Sequence, residues 1–463
     1  MNLFLSWKKM KLNLLIFLSL LLTLYSIETD FDIIYNTNSE GQKFINLIND
    51  IYTEIEISFG LNLETFKLRL DLSNYCTVIP GIEFNNSKIK MFNKSSSTTF
   101  EEVDKFATIY FENFYSGVVG KDKIKIGKNE PIDNMKFIVA SSYSIYQYYS
   151  YFGLDFKSNQ VNLFGLNFLE QLKSNSIIDK QIWYLEFKDN NKGKFIIGKL
   201  PHEVNNKKYN KNDIRSTYLN KTSSFYSFYK IKFDEIYYGK SNNYNNRVIM
   251  KEHNDGEISL STKLIYSTYE FGETIYKNFF KIKIEDKICF REKINSNKEY
   301  LYFYCLKDKI KMNEMENLNF VIKDNNMTFT FSPKELFYEH EKYLYYLVVY
   351  KPYNEEDTDK DTEWYLGLHF LQKYTLAFDR QEQIVYYYIP KNNNGNEKSN
   401  KSTTIYIIII ILLVVIFLVC IGTLVYYIIK IKPRKKKANE LDEGYDYETK
   451  KNENNGNDPF LIN

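Results

Sequence analysis

The sequence predicts an all-β folded region held outside the cytosol, with an N-terminal signal peptide before it and one C-terminal transmembrane helix after it. Three observations carry this. Apolar residues alternate along one short run after another between residues 51 and 390. The chain opens on lysines followed by a short apolar stretch. Near its other end, residues 405–429 pass without a single charge.

Taken in order, residues 1–26 read as a secretory signal peptide. Lys8, Lys9 and Lys11 precede an apolar run at 12–24 that only Asn13, Ser19 and Thr23 interrupt. That run is too short to span a bilayer comfortably. Residues 27–50 form a short pre-domain segment, too brief for a masking pro-region and read as a lone strand. Strand periodicity then recurs at 52–59, 65–70, 107–111, 123–126, 194–197, 229–236, 320–321 with 328–331, 343–349 and 384–389. Helical periodicity is confined to 167–173 and 274–280, and polar clusters at 189–192, 205–213 and 355–361 read as surface loops. The 41 tyrosines and 35 phenylalanines suit a β-rich fold. Residues 391–404 are a linker. At about 1.5 Å per residue, a helix over 405–429 exceeds the roughly 30 Å hydrocarbon core and spans it with tilt. Lys430, Lys432, Arg434 and Lys435 to Lys437 follow at once, so the 430–463 tail is expected in the cytosol, with Tyr406, Tyr426 and Tyr427 at the membrane edges. The expected topology is a single-pass type I membrane protein.

Composition excludes several functions. The net charge of +3 owes much to the juxtamembrane cluster, so nothing favours nucleic-acid binding. The four histidines, His202, His253, His340 and His369, lack metal-ligand spacing. Neither a Gly-x-Ser-x-Gly elbow nor a Gly-rich phosphate loop occurs, and no metal or cofactor is expected. Cys420 falls inside the expected span, which leaves Cys76, Cys289 and Cys305. In a secreted compartment the pair Cys289–Cys305 can close a loop stabilising by about 3 kcal/mol, and Cys76 is then an unpaired, buried thiol. Sequons at Asn85, Asn93, Asn220, Asn326 and Asn400 suit glycosylation of an outward-facing surface.

The strand–turn segments carry a more specific pattern. A glycine turn, Ile57-Ser-Phe-Gly60, leads through Phe66-Lys-Leu-Arg-Leu into Asp71-Leu72-Ser73-Asn74, and Val78-Ile79-Pro80 follows. Phe92 to Phe100 contains Ser95-Ser96-Ser97-Thr98-Thr99, and Ile109-Tyr110 precedes Gly117-Val-Val-Gly120-Lys-Asp122. Then come Tyr151-Phe-Gly-Leu154, Gly193-Lys-Phe-Ile-Ile-Gly198, Trp364-Tyr-Leu-Gly367 and Tyr374-Thr-Leu-Ala-Phe-Asp379. In this collinear order the segments resemble the pepsin-like aspartic peptidase family, from about residue 52 to 388. The resemblance implies a bilobal fold, with an N-terminal lobe at 51–210, a C-terminal lobe at 211–390 and a cleft between them. It also implies that Tyr110 is the flap tyrosine. Cys289 and Cys305 fall where that family's C-terminal lobe carries a disulfide, with a shorter loop here.

The same resemblance exposes a departure. Aspartic peptidases use two facing carboxylates that share one proton, each from an Asp-Thr/Ser-Gly turn. The first turn keeps Asp71, but Leu72 replaces the bracing hydroxyl and Ser73 the glycine. In the second, Gly256-Glu-Ile-Ser259-Leu-Ser-Thr-Lys-Leu-Ile265 puts Ser259 where the second aspartate belongs. A serine hydroxyl cannot hold the shared-proton state. Asp255 lies in a polar run, and Glu257 faces the same side as Ser259 only if the strand stays regular, about 7 Å along it. The expectation is therefore a non-catalytic, membrane-displayed homologue whose interlobe cleft binds a peptide or protein through strand edges. The alternatives are an active aspartic-type endopeptidase using Asp71 with another acid, and an adhesion or structural surface protein.

Overall fold

The computed structural model describes residues 26–35, 44–84, 89–110, 113–143, 150–156, 167–220, 229–239, 248–250, 254–294, 300–352 and 363–388. The expected signal peptide up to residue 25, Asn85, Asn400, His253, the expected 355–361 loop and the expected linker, span and cytosolic tail lie outside them. Among the described residues no helix is long and apolar enough to cross a membrane.

Strands dominate. The first half supplies β1 (Ile27–Tyr35), β2 (Ile51–Phe59), β3 (Glu64–Asp71), β4 (Val78–Pro80), β5 (Glu101–Tyr110), β6 (Asn113–Ile126), β7 (Ile132–Tyr143) and β8 (Tyr151–Gly153). It continues with β9 (Ile182–Phe187), β10 (Lys192–Ile197) and β11 (Ile214–Tyr218). Next come β12 (Lys230–Lys232), β13 (Glu235–Tyr238), β14 (Val248–Met250), β15 (Asp255–Ile258), β16 (Ile265–Ser267), β17 (Cys289–Lys293) and β18 (Leu301–Leu306). The remainder are β19 (Leu318–Ile322), β20 (Met327–Phe331), β21 (Phe337–His340), β22 (Tyr343–Tyr346), β23 (Val348–Tyr350), β24 (Trp364–Leu366), β25 (Leu376–Asp379) and β26 (Ile384–Tyr388).

Among the described residues the strands form three sheets. The largest runs β11-β26-β25-β9-β10-β1-β2-β3-β8-β4-β7-β6-β5. A second runs β12-β15-β24-β16-β23-β18-β22-β21, with β17 beside β18, and a third runs β14-β13-β19-β20. Alternation explains the strands. Along β2, Ile51, Thr53, Ile55, Ile57 and Phe59 are buried while the residues between them face outward. Trp183 of β9 stacks on Phe378 of β25 with ring centroids 4.7 Å apart, so the first and last parts of the chain share one core.

The segment 27–50 differs from its reading as a pre-domain piece. β1 lies inside the largest sheet, paired with β10 on one edge and β2 on the other. Its alternate residues Ile27, Thr29, Phe31 and Ile33 are buried. Helix α1 (Phe44–Asn49) follows, burying Ile45 and Ile48 against Leu264 and Val349. The boundary at residue 210 likewise divides the sheets only in part, because β11, β25 and β26 from beyond it complete the largest sheet.

Two long runs split where the chain changes partners. The 229–236 run breaks at Phe233 and Asp234, since β12 pairs with β15 whereas β13 pairs with β14 and β19. The 343–349 run breaks at Leu347, between β22 on β18 and β23 parallel to β16. Of the helical stretches, α2 (Phe168–Ser174) is capped by Asn167, whose side chain accepts from the amides of Leu169 and Glu170. The second begins earlier than its periodicity indicated, because Thr268 caps α3 (Tyr269–Ile275) by accepting from the Phe271 amide. Cys289 and Cys305 stand directly opposite each other on β17 and β18 and form a disulfide. Cys76 is buried and free.

Candidate active site

One pairing pattern occurs twice. In the first half, β3 runs parallel to β8, β4 antiparallel to β8, and β4 parallel to β7. In the second half, β15 runs parallel to β24, β16 antiparallel to β24, and β16 parallel to β23. Asp71 ends β3 opposite Gly153. Ile258 ends β15 opposite Leu366, which brings the next residue, Ser259, opposite Gly367. Both glycines are forced by close approach. A Cβ on Gly153 would sit 2.6 Å from the Asn74 carbonyl oxygen and 2.5 Å from that of Cys76. A Cβ on Gly367 would sit 2.6 Å from the carbonyl oxygen of Thr262 and 2.3 Å from that of Leu264. These contacts lie three and five residues beyond Asp71 in one half and beyond Ser259 in the other, so the two turns share one geometry.

The chemistry of the two turns differs. Asp71 Oδ1 accepts from the Ser73 amide at 2.7 Å, the Ser73 hydroxyl at 2.6 Å and the Asn74 amide at 3.2 Å. Its Oδ2 accepts from Asn74 Nδ2 at 2.5 Å. Ser259 Oγ lies 3.0 Å from Ser261 Oγ and accepts from the Ser261 amide at 3.3 Å. Leu72 and Leu260, one residue past each of these positions, pack into the apolar core and bring no hydroxyl to brace the turns.

Asp71 and Ser259 line a single cavity of about 360 Å³, together with Leu72, Glu257, Tyr266, Tyr300 and Tyr365. Glu257 is half-buried and faces Lys230 across the β12–β15 pair, 3.8 Å away, while Lys230 reaches Glu363 at 2.6 Å. Asp255 turns elsewhere and accepts from Asn220 Nδ2 at 2.9 Å. Tyr266 donates its hydroxyl to Asn49 of α1, and burial raises that hydroxyl's pKa to about 12. Tyr110 is the last residue of β5, paired with Asn113 of β6, and its side chain lies outside the described residues. Asn93 and Asn220 are half-buried and Asn326 is exposed in a turn. Among the described residues no group of acids, histidines and cysteines is arranged to hold a metal ion.

Sequence reasoning missed the aromatic wall and two supports of the turns. Tyr365 could have been found, because it sits in the Trp364-Tyr-Leu-Gly367 segment directly opposite Glu257. Tyr300 and Tyr266 are brought in by tertiary packing alone, their rings 4.6 Å apart. Behind the first turn, Tyr75 donates to Glu170 Oε2 at 2.6 Å, and Arg380 Nη1 donates to Glu170 Oε1 at 2.8 Å. Burial, then this bond to Glu170, pushes the Tyr75 hydroxyl well above its usual pKa. Behind the second, buried Lys263 donates to Tyr35 Oη and to Asn191 Oδ1, and burial lowers its pKa to about 8.

No curated protein matches the chain at a significant level. The family model of the eukaryotic aspartyl proteases does, across residues 52–387, a span that takes in both turns, the disulfide and the described cavity lining except Asn49. By that match over most of its length, joined to its sheet-rich architecture, the chain belongs to the eukaryotic aspartyl protease family.

Proposed function

We propose that the protein is a non-catalytic member of its family, displayed on a membrane, whose cleft binds a peptide or another protein. The observation that carries this is the pair of turns. Asp71 lies opposite Gly153, and the matching place opposite Gly367 falls to Ser259, which has no carboxyl group. Proteolysis of this type requires two acids around one proton. Among the described lining residues the other acid is Glu257, and Lys230 beside it works against a shared-proton pair, which tolerates no neutralising cation. A cavity of about 360 Å³ at the Asp71 turn still offers an extended peptide a place to dock by strand addition and side-chain capture. Tyr110, at the end of β5, is the flap residue that would cover such a ligand.

Membrane display rests on the uncharged 405–429 run and the basic cluster from Lys430 to Lys437, with the signal peptide directing the folded region outward. The five sequons, at Asn85, Asn93, Asn220, Asn326 and Asn400, are its glycan acceptors, and exposed Asn326 is the most open of those described.

The test is direct. Purified full-length chain should leave denatured protein uncut between about pH 3 and 6, the range in which one proton suits two carboxylates. Turnover that Asp71→Asn abolishes would instead establish an active aspartic endopeptidase.

A further inference from the structure

We infer that the cavity beside Asp71 receives a cationic side chain, lysine or arginine, of an extended peptide. This rests on the cleft being a peptide-binding site and specifies what it selects.

Charge comes first. The four hydrogen bonds to the Asp71 carboxylate come from amide and hydroxyl groups of Ser73 and Asn74, all neutral, so they orient its charge without cancelling it. Lys230 lies 2.6 Å from Glu363 and 3.8 Å from Glu257, so its nearer partner is the acid outside the cavity. Among the described lining residues there is no lysine, arginine or histidine. Lys263 follows Ser259 by four residues, but its ammonium is engaged by Tyr35 and Asn191 and does not line the cavity. The described lining therefore holds two acids and no basic side chain, with Asp71 bound only by neutral donors, and low-dielectric walls concentrate its field on an incoming cation.

The walls favour the same ligand. Tyr266 meets Tyr300 and Tyr365 in edge-on contacts, with centroids 4.6 Å and 6.1 Å apart. Their π faces complement an ammonium or guanidinium, while the apolar stem of such a side chain packs on Leu70, Leu72 and Leu260. A carboxylate would add negative charge to a site that offers it no cation, which excludes acidic residues.

Full-length chain is immobilised and offered capped heptapeptide pools that are random except at the centre, which is arginine, citrulline or glutamate. Citrulline keeps the shape of arginine and removes its charge. The arginine pool should be retained about tenfold over the citrulline pool, with glutamate least retained. Glu257→Gln and Asp71→Asn should each bring that ratio toward one, as should salt at about 0.5 M on the unmodified protein. Agmatine, a free guanidinium, should displace the arginine pool poorly at equal concentration. Equal retention of the arginine and citrulline pools overturns this inference and leaves peptide binding intact. Displacement by agmatine as effective as by peptide reassigns the cavity to a free amine. Retention of no pool at all overturns both the inference and the peptide-binding reading beneath it.

Discussion

The guanidinium of Arg380 donates to the carboxylate of Glu170 at 2.8 Å, although 210 residues separate them in the chain. The same group donates through Nε to the Asp155 carbonyl and through Nη2 to that of Phe156, both at 2.7 Å. It also lies 5.0 Å from the centre of the Tyr75 ring. A residue from the end of the domain thus pins the turn that carries Asp71.

Arg380→Leu should therefore destabilise the fold by about 2–4 kcal/mol, because it leaves two buried carbonyls without their donor and Glu170 with Tyr75 but no cation. Urea unfolding of the full-length chain reads this as a lower midpoint at constant slope. A loss below about 1 kcal/mol would mean that other donors satisfy these groups.

Lys263 gives a pH dependence of defined sign. Burial lowers its pKa from 10.5 to about 8, so between those values the unfolded chain holds a proton that the folded chain has released. Stability should rise with pH across that window by at most about 3 kcal/mol, with the burial penalty fully present below it. Lys263→Met removes the rise and should equal or exceed the unmodified protein in stability near pH 7. The Tyr35–Asn191 hydrogen bond at 2.6 Å remains to satisfy both of Lys263's partners. The readout is the difference in unfolding free energy between the two proteins at about pH 7 and about pH 10, and a constant difference contradicts the assignment.

β1 must persist in the mature protein. Removing it would expose the edges of β2 and β10 in the middle of a sheet. Intact mass of the protein isolated from cells should place its N-terminus at or before Ile27, and a chain lacking residues 27–35 should fail to fold by circular dichroism. A mature protein beginning beyond Tyr35 would refute this register.

The Cys289–Cys305 disulfide closes a loop with a sequence separation of 16. Both residues are buried, so alanine at the two positions avoids stranding a polar group. The double variant Cys289→Ala with Cys305→Ala should lose about 3 kcal/mol. Its melting temperature should match that of the reduced parent, and one equal to the oxidised parent would show that the bridge is energetically idle.

Local pattern was enough to read β2, β3, β10, β19 and β20, because a half-buried strand writes its alternation into contiguous residues. Asp71 was set against Ser259 by the resemblance to the aspartic peptidases, whose two motifs align with these turns, and not by alternation. β1 carried the same alternation, Ile27, Thr29, Phe31 and Ile33, but its position just after the apolar N-terminal run hid its place in the sheet. Other features had no local signature. Tyr300 enters the cavity from a strand connection distant in sequence, Arg380 reads in one dimension as a surface charge, and Lys263 as a solvated lysine. Their roles come from partners that only the folded chain assembles.

The seating of β26 between β11 and β25 sets a condition on biosynthesis. As the polypeptide emerges from its N-terminus, β9 waits for β25, whose residues lie nearly two hundred positions downstream. The largest sheet has an open edge until Tyr388 is delivered. Its completion therefore waits until nearly the whole folded region has been made, and truncation anywhere before that tyrosine leaves a species suited to chaperone capture rather than a smaller working unit.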